Sequence, residues 1–318
     1  MSQKIADSIY RELQEEGFIP THIWVRSSVF ENAAVILAQK FGAKLICEMN
    51  TPFYYEWCVT RKLPLRNKVE KWERNFLDDA DYIYVVSEEL KKMYHEHYGV
   101  SMEKMIAIPN GFDVNLYADY DSLYEQTRGN IRQKENFDGK FVVTFIGSLK
   151  VWHGIDAFCR LADALKDDKR ILFLVLGDGE KRDLIEQYVQ THDNMLFKGK
   201  VNYKTMKQYI YASDLGIMPY AISDNFYFSP LKMYDMIGGG LPFVGSAIGQ
   251  ISDVCENEFG SDFLTVDNNV ATLEKAILDI MENSVKYERM KNLVLEKRFN
   301  CTWDSRAKKL ISTIEQIE

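Results

Sequence analysis

The chain has 318 residues, of which 46% are hydrophobic and 13% aromatic, and its formal net charge is −8. This composition predicts a folded protein and excludes a disordered one, and the length suits two domains of about 150 residues each. The negative charge argues against nucleic-acid binding, which needs a basic surface to displace counterions from phosphates. The five cysteines are odd in number and form no C-x-x-C pair, so we predict reduced packing residues.

The first 18 residues are polar and amphipathic and lack the apolar core of a signal peptide. No apolar run approaches the length of a membrane span. We therefore expect a cytoplasmic protein.

Short apolar segments alternate with helical patterns along most of the chain. Between many of these segments, apolar residues recur at spacings of three and four, as they do from Ile155 to Leu165. Buried strands that alternate with helices predict an α/β fold with parallel, doubly wound sheets. The predicted strands are residues 22–25, 44–49, 82–87, 105–110, 141–147, 171–177, 194–199, 215–220 and 241–246.

The alternation stops between about Val114 and Gly139, where the chain is polar and charged. This break predicts a linker between two domains. We assign residues 1–125 to an N-terminal domain, 126–139 to the linker and 140–300 to a C-terminal domain. Residues 301–318 are predicted to form a terminal helix, capped by Thr302 or Asp304, that packs back on the N-terminal domain.

The segment SPLKMYDMIGGGLPFVGS, residues 229–246, carries more signals than a packing helix needs. Ser229 as N-cap and Pro230 as first helical residue would leave free N–H groups at the helix start, where an anion binds favourably. Lys232 and Asp235 would lie on nearly the same face and could meet a phosphate and a ribose, or simply form a surface ion pair. Three glycines from Gly238 permit close approach of the backbone to a strand or a ligand.

Three further loops follow predicted strands, at the edge where α/β sheets bind ligands. Residues 145–156 offer Gly147, Ser148, Lys150 and His153 as a second phosphate cradle, although the histidine alone could be a capping or packing residue. In residues 175–180, Gly177 and Gly179 flank Asp178, which a plain tight turn also explains. The fourth loop contains Gly199 and Lys200.

In order and separation, these loops resemble the C-terminal domain of glycosyltransferase family 4, sugar-nucleotide-dependent transferases with the GT-B fold. FIGSLKVWHG resembles its first donor-domain loop, LVLGDGE its second strand and turn, and FKGKV with YIYASDLGIMPY its nucleobase segment. SPLKMYDMIGGGLPFVGS resembles its donor-binding helix, and ADYIYVVSEEL and IPNGFD resemble segments of its N-terminal domain. The resemblance covers nearly the whole chain from about residue 20.

The resemblance implies two Rossmann-like domains that face each other across a cleft. It also implies retaining, metal-independent transfer of a sugar from a UDP-sugar, or less favourably a GDP-sugar, to a hydroxyl of a glycan or lipid-linked acceptor. Such a reaction belongs in cell-surface polysaccharide biosynthesis. We expect no cofactor besides the nucleotide-sugar co-substrate.

By position, the resemblance also implies roles for individual residues. It implies catalytic roles for Lys150, His153, Lys232 and Asn50. The acceptor side includes Arg26 and Asn110, and no metal ligands are expected. Nucleotide and donor binding fall on Gly147, Ser148, Gly177, Lys200, Val201, Tyr227, Ser229, Pro230, Leu231 and Asp235.

The sequence departs from the family pattern in several places. Tyr227 stands where the family often has a glutamate, Asp235 replaces a second glutamate, and Asn50 replaces a histidine and cannot carry a proton. The first β-α units of the N-terminal domain have no counterpart, which predicts an incomplete sheet with an exposed edge. The missing strands would come from an N-terminal segment of the same protein or from a partner chain, unless the domain is unusually small.

Other readings remain open. A non-catalytic or partner-dependent subunit could retain the nucleotide pocket. The pairs Asp79/Asp81 and Asp119/Asp121 could suggest metal-dependent transfer, but each fits a structural role better, and a G-x-G-x-x-G dinucleotide motif is lacking. Residues 57–68, WCVTRKLPLRNK, mix basic and apolar side chains and suggest peripheral contact with the inner face of a membrane, or else a loop entering a solvated helix.

Overall fold

The computed structural model describes residues 1–223 and 225–317. The chain forms two compact α/β units. The N-terminal unit comprises Met1–Pro109, Asn225–Ser229 and Ala307–Glu318, and the C-terminal unit comprises Asn110–Asp224 and Pro230–Arg306. Each unit contains one parallel sheet, so the prediction of two Rossmann-like α/β domains is confirmed.

The N-terminal unit is built on a four-stranded parallel sheet in the spatial order β1-β2-β3-β4. The strands are His22–Arg26 (β1), Lys44–Met49 (β2), Tyr82–Val85 (β3) and Met105–Ala107 (β4). The helices of this part are Ser2–Glu15 (α1), Ala33–Phe41 (α2), Phe53–Tyr55 (α3), Arg66–Asp79 (α4) and Glu88–Tyr98 (α5), with a π-helical turn over Glu56–Thr60.

The two faces of this sheet pack against different helices. Because β2 and β3 are covered on both faces, they are nearly continuous apolar runs. One face packs against apolar side chains of α4 and α5, including Trp72, Phe76 and Tyr94. On the other, Leu310 and Ile314 of the last helix cluster with residues of β2, β3 and β4.

The C-terminal unit contains a six-stranded parallel sheet in the order β10-β9-β8-β5-β6-β7. Its order reverses between β5 and β8, and at such a switch point open α/β sheets bind their ligands. The strands are Phe141–Ile146 (β5), Ile171–Leu176 (β6), Met195–Phe197 (β7), Leu215–Met218 (β8), Phe243–Ser246 (β9) and Leu264–Thr265 (β10). The helices of this unit are Tyr120–Glu135 (α6), Ile155–Ala164 (α7), Arg182–Thr191 (α8), Tyr203–Ala212 (α9), Leu231–Gly238 (α10), Gly249–Val254 (α11), Val270–Glu282 (α12) and Ser284–Lys297 (α13). The last helix, Trp303–Ile317 (α14), begins in this unit and continues into the N-terminal unit from Ala307 onward.

The segment predicted to be a linker is folded. Residues 126–139 fall mostly within α6, which belongs to the C-terminal unit, and the division between the units comes after Pro109. Arg128 and Arg132 of α6 both bind the buried carboxylate of Asp214, at 2.5 and 3.0 Å. These two arginines, which suggested a solvated linker, therefore form internal ion pairs.

Elsewhere the strands start close to the predicted positions, but β3, β4, β7, β8 and β9 are each two or three residues shorter than predicted. Each of the nine predicted strands is present, and the two-residue strand β10 was not predicted. Thr302 caps α14, since its Oγ1 accepts from the Ser305 N–H at 3.1 Å, so one of the two predicted caps is correct.

Candidate functional site

A pocket of 590 Å³ lies at the carboxyl ends of β5 and β6 in the C-terminal unit. Half of its lining was predicted from the sequence, namely Gly147, Ser148, Gly177, Lys200 and Val201. The remaining lining residues were not assigned to the site, namely Ile146, Leu176, Asp178, Gly179 and Met206. Ile146 and Leu176 are the last residues of their strands, so the position of strand ends is the signal that could have identified them.

Two glycines bring the loops after β5 and β6 into backbone contact. The Gly147 N–H donates to the Leu176 carbonyl at 2.9 Å. Gly177 has φ of 149°, and a Cβ built on it would lie 1.8 Å from the Gly147 carbonyl oxygen. A side chain at Gly177 would therefore push the loops apart, and this part of the pocket wall requires glycine.

Lys232 of α10 lies beside this loop with its ammonium group buried. Its Nζ stands 4.1 Å from the centre of the Phe145 ring and 5.2 Å from that of Tyr220, and it has no hydrogen-bond partner among the described residues. Burial lowers the pKa of Lys232 to about 7. A buried ammonium without an anionic partner is costly, so an anion bound beside it would be strongly favoured.

His153 is held in one tautomer at the start of α7. Its Nδ1 lies 2.6 Å from the Ser148 carbonyl oxygen. Because a carbonyl only accepts, Nδ1 carries the proton and Nε2 is left as an acceptor. Burial, with the Lys232 charge as the next cause, lowers the pKa of His153 to about 4. The imidazole is therefore neutral near pH 7.

Lys150, the other predicted catalytic cation, lies in the same loop. Its Nζ stands 5.6 Å from the centre of the Trp152 ring, and that indole is exposed. The ammonium therefore makes a cation–π contact at the surface, in a setting far better solvated than that of Lys232.

The start of α10 differs from the prediction. Pro230 occupies the cap position with extended backbone and no side-chain capping bond, and the helix begins at Leu231. Ser229 is therefore not the N-cap, and Pro230 is not the first helical residue. Leu231 is exposed, whereas Asp235, one turn later, is largely buried, and this burial raises the pKa of its carboxyl group to about 7.

The three glycines after α10 are explained by packing within the C-terminal unit. A Cβ on Gly238 would lie 2.7 Å from the rings of Phe112 and Tyr117, and one on Gly239 would lie 2.3 Å from Ile210. The backbone is left-handed at Gly240, with φ of 66°. These glycines permit close approach to side chains of neighbouring helices and loops, whereas the two predicted alternatives were a strand and a ligand.

In the N-terminal unit, Arg26 and Asn50 meet around a residue that the sequence did not single out. Asn50 Nδ2 donates to Glu48 Oε1 at 2.8 Å, Trp24 Nε1 donates to Glu48 Oε2 at 3.1 Å, and Arg26 Nε lies 3.9 Å from Oε1. Asn50 Oδ1 is buried without a hydrogen-bond partner in the described part of the chain. Glu48 interrupts the apolar run of β2, and that interruption is the signal that could have identified it.

Other predicted residues make contacts inside their own units. Tyr227 belongs to the N-terminal unit, where its hydroxyl donates to Glu56 Oε2 at 2.8 Å. Ser229 belongs to the same unit. Asn110 belongs to the C-terminal unit, where its carbonyl accepts from Arg306 Nε at 3.3 Å.

Neither a metal cluster nor a membrane-spanning helix is found in the described ranges. No group of three or more His, Cys, Asp and Glu side chains among these residues could hold a metal ion. Among the same residues, no helix combines the length and the apolar character needed to span a bilayer.

Comparison with protein families gives one match in each half of the chain. Residues 140–283 match the model described as glycosyl transferases group 1, and residues 8–116 match the model described as glycosyltransferase family 4. The first match contains the pocket, Lys232 and His153. The second contains the cluster of Arg26, Glu48 and Asn50.

One curated relative is TuaH of Bacillus subtilis strain 168, a glycosyltransferase assigned to teichuronic acid biosynthesis. The two proteins are 24% identical over 241 residues, which is 74% of this chain and 58% of TuaH. The chain thus spans less than two thirds of that relative.

Two solved structures have a similar fold. HepE of Anabaena, crystallised with UDP and glucose, has a TM-score of 0.70 and 16% identity, with 99% of this chain and 80% of HepE covered. Sucrose-phosphate synthase of Thermosynechococcus elongatus has a TM-score of 0.69 and 17% identity, with 99% of this chain and 77% of the enzyme covered. Because both sequence identities are below 25%, these similarities show the fold alone.

Proposed function

This chain belongs to glycosyltransferase family 4 and has the GT-B fold, and on that premise we propose that it transfers a sugar from a nucleotide-diphosphate sugar to an acceptor hydroxyl. We propose a UDP-sugar rather than a GDP-sugar as donor, with retained configuration at the transferred carbon. HepE, which is similar in fold, was crystallised with UDP and glucose, and this supports the choice of base. The acceptor would be a glycan or a lipid-linked glycan of cell-surface polysaccharide synthesis, by analogy with TuaH.

The observation that carries this proposal is the unpaired, buried ammonium of Lys232 beside a pocket with a glycine wall. When the bond between sugar and diphosphate breaks, negative charge grows on the diphosphate. A positive group that is already desolvated and fixed stabilises this charge strongly, because the surrounding dielectric is low and no water must reorganise. The same group binds the diphosphate of the donor in the ground state.

The other residues of the C-terminal unit would orient the donor. His153 Nε2, held as an acceptor, is suited to a hydroxyl of the donor sugar, and Lys150 adds positive charge near the diphosphate. Asp235 would accept from the ribose hydroxyls. The backbone at Lys200 and Val201, which lines the pocket, would contact the base.

In the N-terminal unit, we propose that Arg26, Glu48 and Asn50 bind the acceptor. The Glu48 carboxylate can accept from an acceptor hydroxyl, and the unpaired Asn50 Oδ1 offers a second acceptor atom. Asn50 cannot carry a proton, so its proposed role is positioning. This feature also supports the second candidate function, a non-catalytic or partner-dependent subunit that retains the nucleotide pocket.

Peripheral membrane contact from the cytoplasm is a further part of the proposal. Val59, Leu63 and Leu65 are exposed in the same stretch as basic residues that include Lys62 and Lys68. An anionic bilayer would accept both kinds of side chain. Co-sedimentation with anionic vesicles should fall when Arg61, Lys62, Arg66 and Lys68 are changed to serine, and unchanged binding would exclude this surface.

A partner strand is also proposed for β1, which pairs with β2 on one side and ends the sheet within the described residues. It would come from a partner chain or from a further segment of the same protein. Gain of sugar-nucleotide turnover on addition of such a partner would support the two-chain reading.

The deciding experiment is a calorimetric screen of UDP, GDP and their sugars, followed by NMR of the product's anomeric configuration. We expect UDP and a UDP-sugar to bind in the presence of a chelator, because we propose no metal cofactor. If none of these ligands binds, the donor assignment is refuted. Binding of UDP without turnover, with or without a partner, would favour the non-catalytic subunit.

A further inference from the structure

Glu73 of α4 is completely buried, and four groups surround its carboxyl group. The N–H of Phe53 donates to Oε1 at 2.7 Å, and the N–H of Tyr54 donates to Oε2 at 2.8 Å. The Tyr98 hydroxyl donates to Oε2 at 3.0 Å, and the Tyr94 hydroxyl lies 3.0 Å from Oε1. One carboxyl group of α4 therefore joins the start of α3 to α5.

A proton count at Tyr94 indicates the charge state of this carboxyl group. Tyr94 Oη lies 2.8 Å from the Thr51 carbonyl oxygen and 3.0 Å from Glu73 Oε1. A phenol has one hydrogen, and neither a carbonyl nor a carboxylate can donate one. Both contacts are hydrogen bonds at the same time only if Glu73 is protonated and donates to Tyr94, while Tyr94 donates to Thr51. If Glu73 is ionised, one of the two bonds is lost.

These contacts fix the backbone directly after Asn50. Tyr94 holds the carbonyl of Thr51, and Glu73 holds the N–H groups of Phe53 and Tyr54, so the bonds lie on both sides of Pro52. Asn50 reaches Glu48 from the beginning of this segment. The position of the Asn50 side chain therefore depends on a segment that Glu73 and Tyr94 hold.

We propose that Glu73, in its protonated form, is a positioning residue for Asn50, which it holds in the cluster with Arg26 and Glu48 through residues 51–54. The inference rests on the proposed function, in which Asn50 contacts the acceptor. Ionisation of Glu73 removes the bond between Tyr94 and Thr51 or the one between Tyr94 and Glu73, and it buries a charge. The segment is then held less firmly, and acceptor binding weakens as pH rises.

The surroundings of Glu73 contain other titratable groups. Burial raises the pKa of Glu73 to about 7, whereas burial and the Glu73 charge raise the pKa values of the phenols of Tyr54, Tyr94 and Tyr98. Burial raises the pKa of the Cys58 thiol, and it lowers the pKa of His97, which stacks on Tyr54. The charged side chains Arg66, Glu70 and Glu96 also act electrostatically on Tyr54 or Cys58.

The test is hydrogen–deuterium exchange of the full chain, followed by mass spectrometry. Exchange is measured at about pH 6 and about pH 8 and corrected for the intrinsic rate of each peptide. In the wild type, peptides that cover residues 51–54 should exchange up to about tenfold faster at the higher pH, the ratio of the protonated fractions of a group with a pKa near 7. In Glu73→Gln this pH dependence should vanish, because an amide group does not titrate between these pH values. No pH effect in the wild type, or an equal effect in Glu73→Gln, would overturn the proposal.

Two phenylalanine variants form a matched pair. Tyr94→Phe and Tyr98→Phe each remove one hydroxyl from Glu73, but only Tyr94→Phe removes the bond to Thr51. Tyr94→Phe should speed exchange at residues 51–54 at both pH values, and Tyr98→Phe should keep the pH dependence. Equal behaviour of the two variants would refute the proton count.

Infrared spectroscopy tests the charge state directly in the wild type. A carbonyl band of protonated carboxyl groups should be present at about pH 6 and lost at about pH 8. Because burial also raises the pKa of Asp235 to about 7, only the part of this band that Glu73→Gln removes belongs to Glu73. UDP binding, which involves the C-terminal unit, should be unchanged in all these variants. Loss of UDP binding by the wild type would refute the proposed function, while the exchange and infrared results would still decide the role of Glu73.

Discussion

Lys232 lies directly against the backbone of Gly147. A Cβ built on Gly147 would stand 3.0 Å from Lys232 Cε and 3.3 Å from Nζ. Lys232, which offers the buried positive charge, and Gly147, which lines the pocket, are therefore coupled sterically. A substitution at either residue should affect the other.

Gly147→Ala should weaken UDP binding about tenfold or more. The new methyl group meets the Lys232 side chain, and φ of 121° is unfavourable for any residue with a Cβ. Calorimetry with UDP measures the effect. Gly139→Ala is the control, because it also adds a methyl group at a glycine with positive φ, 71°, and no atom of the described residues lies within 4 Å of that methyl group. Equal loss of affinity in the two variants would show that strain, and not the contact with Lys232, is responsible.

Lys232→Met should lose about ten- to hundredfold in UDP affinity, since a hydrogen bond to a charged group contributes about 1.5–3 kcal/mol. In the absence of UDP the same variant should melt at a higher temperature, because it removes a buried charge that has no hydrogen-bond partner among the described residues. Thermal unfolding with and without UDP measures both effects. Lys166→Met, at an exposed position, is the control. A variant that melts lower and binds UDP normally would remove Lys232 from the site.

The pH dependence of UDP binding follows from the same side chain. Burial lowers the pKa of Lys232 to about 7, so the free protein loses the positive charge as pH rises through that value. From about pH 7.5 to about pH 9, affinity for UDP should fall by up to about tenfold per pH unit, because binding requires the charged form. The dependence should disappear in Lys232→Met. If the UDP affinity of the wild type does not change with pH, another cation binds the diphosphate.

Glu73 should make stability fall as pH rises. Its folded pKa of about 7 lies above the ordinary value of 4.5 for a glutamate, so the native state holds the proton more tightly than the unfolded state between these values. Stability of the N-terminal unit should decrease by about 3 kcal/mol from pH 4.5 to pH 7 through this group, at about 1.4 kcal/mol for each pKa unit. Denaturant unfolding of the wild type and Glu73→Gln at several pH values isolates the contribution. Parallel profiles would contradict the raised pKa.

Asp214→Asn should destabilise the C-terminal unit by about 3 kcal/mol or more, because it leaves two largely buried guanidinium groups without their shared carboxylate. The measurement is denaturant unfolding followed by a probe of that unit. Asp163→Asn, which alters an exposed ion pair, should cost well below 1 kcal/mol. Similar small losses in both variants would mean that α6 is held mainly by apolar contacts.

Strands were predictable where the apolar pattern had one explanation. Residues 44–49 and 141–147 are apolar runs buried on both faces, and β2 and β5 occupy them almost without change. β10 has two residues, too few for a pattern to appear. The helix α6 was missed because its charges suggested solvent, whereas Arg128 and Arg132 turn inward to Asp214.

The loops that line the pocket could be predicted from the sequence, whereas the carboxylates that hold other site residues were not predicted. Glycines at strand ends marked the pocket, because a backbone that approaches another backbone excludes side chains. Glu48 and Glu73 were not singled out, since the sequence does not show whether a carboxylate in a strand or a helix faces solvent or a set of donors. Ser229 looked like a cap by residue type, but the extended backbone at Pro230 starts the helix one residue later.

The contact between Gly147 and Gly177 has a consequence for redesign. Because the loops after β5 and β6 touch through bare backbone, a change that displaces one of them must displace the other. Libraries that vary Ser148 and Asp178 independently would therefore contain many combinations in which the two loops no longer pack against each other. A search for altered donor preference should randomise the two loops jointly and keep both glycines constant.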